Sequence, residues 1–463
     1  MHKQQHFHFV GINGIGMSGI AKILHKKGYI ISGCDLSCDH ANIQELVDAD
    51  CKISSQHNSA LCNDDSITTI VYSSDVPYNS PELVNARNKG IATIQRAAAL
   101  AEIMQSKYSI GVAGSHGKTT TTSMIAHIFI EAQTDPTIIV GGIMHNINNN
   151  ARYGQGDYLI AETDESDRSH LLLPVTVGVL TSVDFEHANV YKNLDEVVAV
   201  FTQFLNQIPH HGKAIVCVDD DNISNMSPIF YLKVITYGTK KFADIQPINI
   251  QLHPDSSSFD IFDSRTQTVL GSININMPSI YNVLNATAAI TTALEQAIPF
   301  SVIAQALASF QGVDRRFSYK GTMQSPSAEI FDDYGHHPTE IYHSLITARR
   351  KTKNKLIVVF QPQRYTRTFH LWDEFVRVFQ TADIDHLIIT DIYTANEPAI
   401  QNVTSQRLAQ EIRNSNPSYQ VHYVPFQADL GDIRKNVLNI TDDDDLILLL
   451  GAGKVNKLAE KLL

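Results

Sequence analysis

Cysteine is scarce in this chain, with 5 residues among 463. They stand at positions 34, 38, 51, 62 and 217, so the count is odd and no pair has C-x-x-C spacing. This pattern argues against a disulfide framework and against a zinc cage. The expectation is a cytoplasmic protein with reduced thiols.

Positively charged residues are fewer than negatively charged ones. The chain has 36 Lys and Arg against 48 Asp and Glu, a formal net charge of −12. This balance argues against a general nucleic-acid binder and against a polybasic membrane-surface protein. No apolar run is long enough to span a bilayer, and no signal-peptide core follows Met1, so we expect no membrane insertion. A hydrophobic content of 43% is ordinary for globular domains.

Short apolar segments alternate with helical segments in three successive blocks. This alternation predicts an α/β protein of three domains. A Rossmann-like N-terminal domain is predicted at 1–107, a central parallel-sheet domain of the P-loop ATPase type at 108–314, and a Rossmann-like C-terminal domain at 315–463. Residues 244–275 alternate polar and apolar side chains instead, which predicts antiparallel hairpins at the edge of the central sheet. A helix at 282–296 is predicted to close that domain.

The most specific motif is the stretch 111–120, Gly-Val-Ala-Gly-Ser-His-Gly-Lys-Thr-Thr, between a predicted strand and a predicted helix. The backbone N–H groups of such a loop surround phosphate oxygens at the positive end of a helix. Lys118 is predicted to reach the β- and γ-phosphates, and Thr119 to ligate Mg²⁺. Val112 occupies the position of the first glycine in the strict Walker motif. A chance glycine-rich turn is the alternative, and the placement of Gly-Lys-Thr-Thr at a helix start argues against it.

A second glycine-rich turn, Gly-Ile-Asn-Gly-Ile-Gly at 11–16, follows the first predicted strand. Its glycines permit close approach of a pyrophosphate, and Asp35 after the next strand is placed to meet a ribose or a base. Taken alone, the turn fits NAD, a nucleotide sugar, or a tight βα turn without any ligand. These three readings stay open at this point.

Two residues suggest metal chemistry in the central domain. Glu162 ends one predicted parallel strand, and His187 follows another. Ligands gather at the carboxyl edge of a parallel sheet, so the pair is predicted to hold Mg²⁺ beside the phosphates. Solvent-facing acidic residues and a packed histidine are the plain alternative. The neighbouring phosphate loop favours the metal site.

The C-terminal block carries two polar stretches at strand ends, 332–338 and 361–367. Arg364 and Arg367 offer bidentate donors for a carboxylate or a phosphate. The adjacent histidines His336 and His337, with Tyr334, are suited to position or deprotonate an amine. Each feature alone is more often a surface ion pair or a capped turn. Their common location at strand ends of one sheet favours a binding site.

Together these stretches resemble the Mur ligase family of bacterial peptidoglycan synthesis. The resemblance runs from His8 to Gly453, with the motifs in family order. The loop at 114–119 is common to all branches of the family. The turn at 14–21 and the stretches at 332–338 and 361–368 are typical of the branch that adds L-alanine.

The resemblance implies one domain for the UDP moiety, one for ATP and one for the amino acid. It implies that ATP phosphorylates the lactyl carboxylate of UDP-N-acetylmuramate to an acyl phosphate. The amine of L-alanine then attacks, and ADP and phosphate are the co-products. Mg²⁺ is the implied cofactor.

The resemblance also assigns roles to individual residues. The UDP-sugar residues are Gly14, Ile15, Gly16, Asp35, His57 and Ser74. The ATP residues are Gly114, Ser115, His116, Gly117, Lys118, Thr119, Thr120, Asn282, Asn285, Arg316 and Asp333. The metal ligands are Thr119, Glu162 and His187. The amino-acid residues are Tyr334, His336, Arg364 and Arg367, and the catalytic residues are Lys118, His336 and Arg364.

The chain departs from the family pattern at several positions. Asparagine 13 replaces a glycine, and serine 115 a threonine. Near His187, Ser182 replaces an asparagine and Glu186 an aspartate. Tyr281 and Gln363 each replace a histidine.

Three other interpretations compete with this one. A sister ligase of the family attaches another amino acid or a peptide to the same sugar. A nicotinamide-dependent dehydrogenase explains the turn at 11–16 but leaves the loop at Lys118 unexplained. A nucleotide-sugar-binding protein without activity conflicts with the presence of Lys118, Thr119 and Glu162. A monomer or a weak homodimer is expected.

Overall fold

The computed structural model describes residues 5–36, 41–57, 59–73, 75–226, 232–415 and 420–463. These residues form an α/β fold with three sheets of five, ten and six strands. The predicted fold class is confirmed. Within the described ranges, no helix is both long and apolar enough to cross a membrane.

The first sheet is wholly parallel, with strand order β3-β2-β1-β4-β5. Its strands are β1 His6–Val10, β2 Ile30–Cys34, β3 Lys52–Ser54, β4 Thr69–Tyr72 and β5 Ala92–Gln95. The helices are α1 Ile15–Lys26, α2 Ala41–Asp48, α3 Pro81–Asn88 and α4 Arg96–Met104, with a 3₁₀ turn at Ala60–Asn63. This strand order is Rossmann-like, so ligands are expected at the carboxyl ends of β1 and β4.

The central sheet has the order β15-β14-β13-β12-β11-β10-β6-β9-β7-β8. The strands are β6 Tyr108–Ala113, β7 Thr137–Met144, β8 Asn149–Arg152, β9 Tyr158–Glu162, β10 Val177–Leu180, β11 Lys213–Cys217, β12 Lys233–Tyr237, β13 Ile245–Leu252, β14 Ser257–Asp263 and β15 Thr268–Ile275. The helices are α5 Lys118–Glu131, α6 Leu194–Asn206, α7 Asp221–Ser224, α8 Ile280–Leu294 and α9 Phe300–Ser309. Strands β13 to β15 pair antiparallel, which confirms the hairpins predicted from alternation.

The third sheet has the order β16-β17-β21-β18-β19-β20, parallel except at β16. Its strands are β16 Ser318–Thr322, β17 Glu329–Asp333, β18 Leu356–Phe360, β19 His386–Ile389, β20 Gln420–Tyr423 and β21 Leu446–Leu450. The helices are α10 Pro338–Lys351, α11 Tyr365–His370, α12 Trp372–Thr381, α13 Ser405–Ser415, α14 Gly431–Ile440 and α15 Leu458–Leu462. Strands β18 and β21 are entirely buried, as expected for apolar runs inside a parallel sheet.

The first two sheets share one apolar core, whereas the third sheet has its own. One continuous cluster joins side chains of the first two sheets, because α1 packs on β7 and β8 of the central sheet. Lys22 of α1 also donates to the Asn149 side chain at 2.7 Å. The third sheet has separate clusters on its two faces. Its contacts with the central sheet are largely polar, and several of them surround the phosphate loop.

Candidate active site

The phosphate loop connects β6 to α5 through two glycines in conformations that other residues rarely adopt. Gly114 has φ +134, and a Cβ there would lie 2.2 Å from Thr181 Oγ1. Gly117 has φ +80, and a Cβ there would lie 2.5 Å from Asn285 Oδ1. No side chain caps α5 within the described residues. Its first N–H groups are therefore left for an anionic ligand, as in other phosphate-binding loops.

Lys118 lies in the first turn of α5 and points back into the loop. Its Nζ donates to the carbonyl oxygens of Gly114 and Ser115 and pairs with Glu165 Oε1 at 2.7 Å. Burial disfavours the charged amine, but the carboxylates of Glu165 and Glu162 outweigh burial and raise the pKa of Lys118. Lys118 is thus a cation at neutral pH with a buried counter-ion.

Two of the three predicted metal ligands touch each other. Thr119 Oγ1 donates to Glu162 Oε1 at 3.0 Å, and the Gly141 N–H donates to Glu162 Oε2 at 2.7 Å. Arg316, from the segment that leads into the third sheet, donates to Thr119 Oγ1 at 3.3 Å. The hydroxyl and the carboxylate are hard oxygen donors, which is the ligand type that Mg²⁺ prefers.

His187, the third predicted ligand, lies among carboxylates. Its Nε2 is 3.5 Å from Glu165 Oε1 and 3.8 Å from Glu186 Oε2. Its backbone has φ +54, which is uncommon for a residue with a Cβ. Because Glu165 also pairs with Lys118, it connects the histidine to the phosphate loop.

His116 of the loop joins the central domain to helix α10. Its Nε2 is 3.0 Å from Asp184 Oδ2, and its Nδ1 is 3.5 Å from Glu340 Oε1. Thr339 Oγ1 donates to the same Asp184 carboxylate at 2.8 Å. Burial alone would lower the pKa of His116, but Asp184 and Glu340 raise it to about 10. The imidazolium therefore bridges two domains at neutral pH.

This bridge predicts a pH dependence of stability. The pKa of His116 is raised from 6.5 to about 10, so its stabilisation is complete below pH 6.5 and is lost as the pH rises toward 10. We expect His116→Gln to lower the thermal midpoint by several degrees near neutral pH. The difference from the wild type should shrink steadily on the alkaline side. Thermal melts of both proteins across this range check it, and a constant difference would contradict the charged bridge.

A cavity of about 700 Å³ opens beside the loop, between the central and third sheets. Its lining includes many of the predicted ATP residues: His116, Gly117, Thr120, Asn282, Asn285, Arg316 and Asp333. The ring of Tyr281 packs on that of His343 in the same cavity, with centroids 3.6 Å apart. The other predicted ATP residues, 114, 115, 118 and 119, belong to the loop that borders it. The volume lies in the range usual for small-molecule sites.

The two predicted arginines lie at the start of α11. Arg367 Nη2 pairs with Glu186 Oε1 of the central domain at 2.7 Å, and both side chains are only 6% exposed. Arg364 Nη1 is 3.1 Å from Glu397 Oε1, and its backbone has φ +67. Both arginines and His187 line a small cavity of about 10 Å³. The structure thus brings the arginines to the central-domain edge, each with a carboxylate partner.

His336 and Tyr334 lie next to this edge. The His336 Nδ1 is 3.0 Å from the Tyr334 carbonyl oxygen, and its Nε2 is 4.0 Å from Glu186 Oε2. Burial, with the nearby Arg367 charge, lowers the pKa of His336 to about 4. The imidazole is therefore neutral at physiological pH, and its Nε2 is left as a hydrogen-bond acceptor.

The predicted UDP-sugar residues of the first turn lie at the start of α1. Gly14 is the N-cap, and Ile15 and Gly16 begin the helix, with no side-chain cap among the described residues. Asp35 Oδ2 accepts the backbone N–H of Asn13 at 3.0 Å. The turn and the aspartate are therefore adjacent, as the sequence predicted.

The two other predicted UDP-sugar residues, His57 and Ser74, do not belong to this turn. His57 Nδ1 lies 3.2 Å from Cys34 Sγ and 3.7 Å from Glu82 Oε1, on the inner side of the segment that follows β3. Ser74 lies outside the described residues.

Several residues of the site were not singled out from the sequence. Glu165 lies in the same acidic stretch as Glu162, and Asp184 in the stretch before His187, but nothing in their spacing marks them. Glu340 falls within a predicted amphipathic helix, where a glutamate is not distinctive. Arg96 donates to Asp164 Oδ2 at 2.8 Å and so ties the first domain to the acidic stretch. Only three-dimensional proximity identifies these partners.

Comparison with known proteins agrees with this architecture. Residues 6–108 match the Mur ligase family catalytic domain, 112–293 the Mur ligase middle domain, and 315–453 the Mur ligase glutamate ligase domain. The chain therefore belongs to the Mur ligase family.

Among its relatives is a UDP-N-acetylmuramate–L-alanine ligase of Geotalea daltonii, 42% identical over 99% of this chain and 98% of that protein. The ligase of the same name from Geobacter sp. is 41% identical over 100% of this chain and 97% of its own. The crystal structure of a UDP-N-acetylmuramate-alanine ligase from Thermotoga maritima has a TM-score of 0.82 at 23% identity, covering 99% of this chain and 98% of its own. A murein peptide ligase from Psychrobacter arcticus has a TM-score of 0.74 at 21% identity, covering 99% and 98%.

Proposed function

We propose that this chain joins L-alanine to the lactyl carboxylate of UDP-N-acetylmuramate, with cleavage of ATP to ADP and phosphate. It is an ATP-dependent ligase of peptidoglycan biosynthesis. The observation that carries the proposal is identity above 40% to ligases of that name over the whole chain. The site supports it, because the phosphate loop, the cavity beside it, Arg364 and Arg367 all lie where the central and third domains meet. We further propose domain limits of 1–107, 108–314 and 315–463.

The first chemical step brings two anions together. The γ-phosphoryl group moves from ATP to an oxygen of the sugar's carboxylate, and ADP leaves. Lys118 and the uncapped N–H groups at the start of α5 hold the phosphates. Arg316, which donates to Thr119, adds a further positive charge beside them. Thr119 and Glu162 supply the oxygen donors for Mg²⁺, with His187 and Glu165 beside them. When bound there, Mg²⁺ would reduce the repulsion between the phosphates and the carboxylate.

The second step forms the amide bond. The amine of alanine attacks the acyl carbon, and phosphate leaves. Arg364, held at the start of α11, binds the alanine carboxylate and turns the amine toward the acyl phosphate. Arg367 supports this edge through Glu186. The neutral imidazole of His336 orients the amine through Nε2. The ammonium group gives one proton to solvent before attack, and the second amine proton leaves with the phosphate.

We expect Arg364→Ala to raise the apparent KM for alanine by about 10- to 100-fold, since one charged contact to a carboxylate contributes about 1.5 to 3 kcal/mol. The KM for ATP should change little. Steady-state kinetics with one substrate varied at a time measure both constants. An unchanged KM for alanine would remove Arg364 from the amino-acid site, and Arg350→Ala, at an exposed position of α10, is the matched control.

A single assay tests the proposed reaction. ADP release is measured with ATP, Mg²⁺ and UDP-N-acetylmuramate while each amino acid is added in turn, and the nucleotide product is identified by mass. We expect release only when alanine, or a similarly small amino acid, is present. Release with a peptide but not with alanine would favour the activity named for the Psychrobacter relative. No release with any acceptor would contradict the ligase assignment.

A further inference from the structure

A compact group of sulfur and imidazole ligands lies inside the first domain. One ring nitrogen of His8 and the sulfur atoms of Cys34 and Cys62 lie within 4.8 Å of one another. His57 Nδ1 adds a further donor 3.2 Å from Cys34 Sγ. We propose that His8, Cys34 and Cys62 hold a Zn²⁺ ion, with His57, next to Cys34, as the fourth ligand of a tetrahedral site.

The fold explains how distant positions converge. His8 lies in β1 and Cys34 ends β2, and the parallel register of these strands places both side chains on one face of the sheet. Cys62 lies in the 3₁₀ turn Ala60–Asn63, which covers that face. His57 precedes the same turn. Because the ligands come from two strands and a separate turn, this kind of zinc site needs no C-x-x-C spacing in the sequence.

The side chains of His8, Cys34 and Cys62 are buried, and a hydrogen bond holds the His8 ring. His8 and Cys34 are 0% exposed and Cys62 is 5% exposed. His8 Nδ1 lies 2.8 Å from Ser32 Oγ, while in the part of the chain that the structure describes its Nε2 makes no hydrogen bond. A buried ring nitrogen without a partner is costly unless something occupies it. Ser32 holds the ring through Nδ1, and a partner on the other ring nitrogen is the usual second-sphere arrangement of a metal-bound histidine.

The distances suit zinc. Bond lengths of about 2.3 Å to sulfur and about 2.0 Å to nitrogen place tetrahedral ligands about 3.3 to 3.8 Å apart. The three atoms of His8, Cys34 and Cys62 lie within 4.8 Å of one another, so binding of zinc would draw them closer together. Two thiolates also neutralise the charge of Zn²⁺ in a buried site, and the Glu82 carboxylate, 3.7 Å from His57 Nδ1, adds further negative charge nearby. Hard cations such as Mg²⁺ do not favour sulfur ligands.

The experiment uses the full chain, stripped of metal with a chelator and kept reduced with a phosphine. Zn²⁺ alone is titrated against a chromophoric chelator, and Co²⁺ is used as a spectroscopic substitute. We expect one zinc per chain and a thiolate-to-cobalt charge-transfer band. Cys34→Ser and Cys62→Ser should each weaken zinc binding by at least about tenfold and reduce the band. Cys51→Ser, whose thiol faces His25 at 3.6 Å instead, is the matched control and should bind like the wild type.

A fold check separates loss of a ligand from loss of the domain. Metal-free Cys62→Ser should melt at about the same temperature as the metal-free wild type, while Zn²⁺ should raise the midpoint of the wild type alone. The charge-transfer band also distinguishes this site from the magnesium ligands, which contain no thiol. A wild type without the band, or a Cys34→Ser/Cys62→Ser variant that binds zinc as tightly as the wild type, would overturn the proposal.

Discussion

Replacing Lys118 with alanine should reduce ADP formation by at least about 10³-fold, because the variant lacks the cation that we propose holds the transferred phosphoryl group. The expected loss is in turnover more than in nucleotide-sugar affinity. Lys118 lies at the start of α5 in the central domain, whereas the predicted UDP-sugar residues lie in the first domain. Steady-state ADP release and a separate binding titration with UDP-N-acetylmuramate measure the two quantities.

Loss of Lys118 is also expected to lower the stability of the protein, so a second variant is needed as a control. Glu165 is 3% exposed and has Lys118 as its closest cation, at 2.7 Å, so the variant leaves a buried carboxylate poorly compensated. The variant Lys118→Ala/Glu165→Gln removes that charge as well. It should recover thermal stability without recovering turnover. Lys233→Ala, an exposed ion-pair partner of Glu295 with 58% of its side chain accessible, should keep full activity. Near-normal ADP formation by Lys118→Ala would refute the phosphate-loop assignment.

Replacing Arg367 with alanine should be the most destabilising change at the edge of the third domain. Arg367 and Glu186 are each 6% exposed, and Glu186 accepts from Arg367 Nε at 2.8 Å and pairs with Nη2 at 2.7 Å. Removing one member of a buried pair costs about 3 to 5 kcal/mol, because the remaining charge stays in a poorly solvated place. Burial would raise the pKa of Glu186, but Arg367 and the nearby histidines hold it well below its usual range. We expect a lower thermal midpoint and weaker coupling between the central and third domains.

A double-mutant cycle isolates this interaction. Arg367→Ala/Glu186→Gln should be more stable than Arg367→Ala alone, since the unpaired carboxylate is gone. Thermal melts of the four proteins near neutral pH supply the coupling energy. Arg350→Ala, from the same domain and exposed, should change the midpoint little. Strictly additive effects of the two substitutions would show that the pair does not join the domains energetically.

The distribution of contacts suggests which parts move together. The first two domains share one apolar core, so separating them would expose the apolar side chains that α1 packs against β7 and β8. The third domain is joined to the central domain mainly by the charged or polar contacts of His116, Arg316 and Arg367, with Phe185 as an apolar contact between the two cores. Such contacts exchange more readily with water than a continuous core does. We therefore expect the third domain to open and close while the first two remain a unit.

Much of the fold was readable from the sequence because local rules sufficed. Buried parallel strands appear in the sequence as short apolar runs, such as Thr69–Tyr72 and Leu356–Phe360. The phosphate loop was found because a fixed order of glycines, lysine and threonine suits one local geometry. The short strand Lys52–Ser54 was missed, because three residues carry too little periodic signal. The domain limits and the roles of the site residues stay predictions.

The sequence by itself determined the family, the three α/β blocks and the position of the phosphate-binding loop, since these depend on neighbouring residues and on motif order. Only the tertiary structure decided which charges face each other. Lys118 and Glu165 are paired across 47 positions, and Arg367 and Glu186 across 181. The same holds for the meeting of His8 with Cys34 and Cys62. Such pairs depend on how strands and domains pack, and no local spacing encodes them.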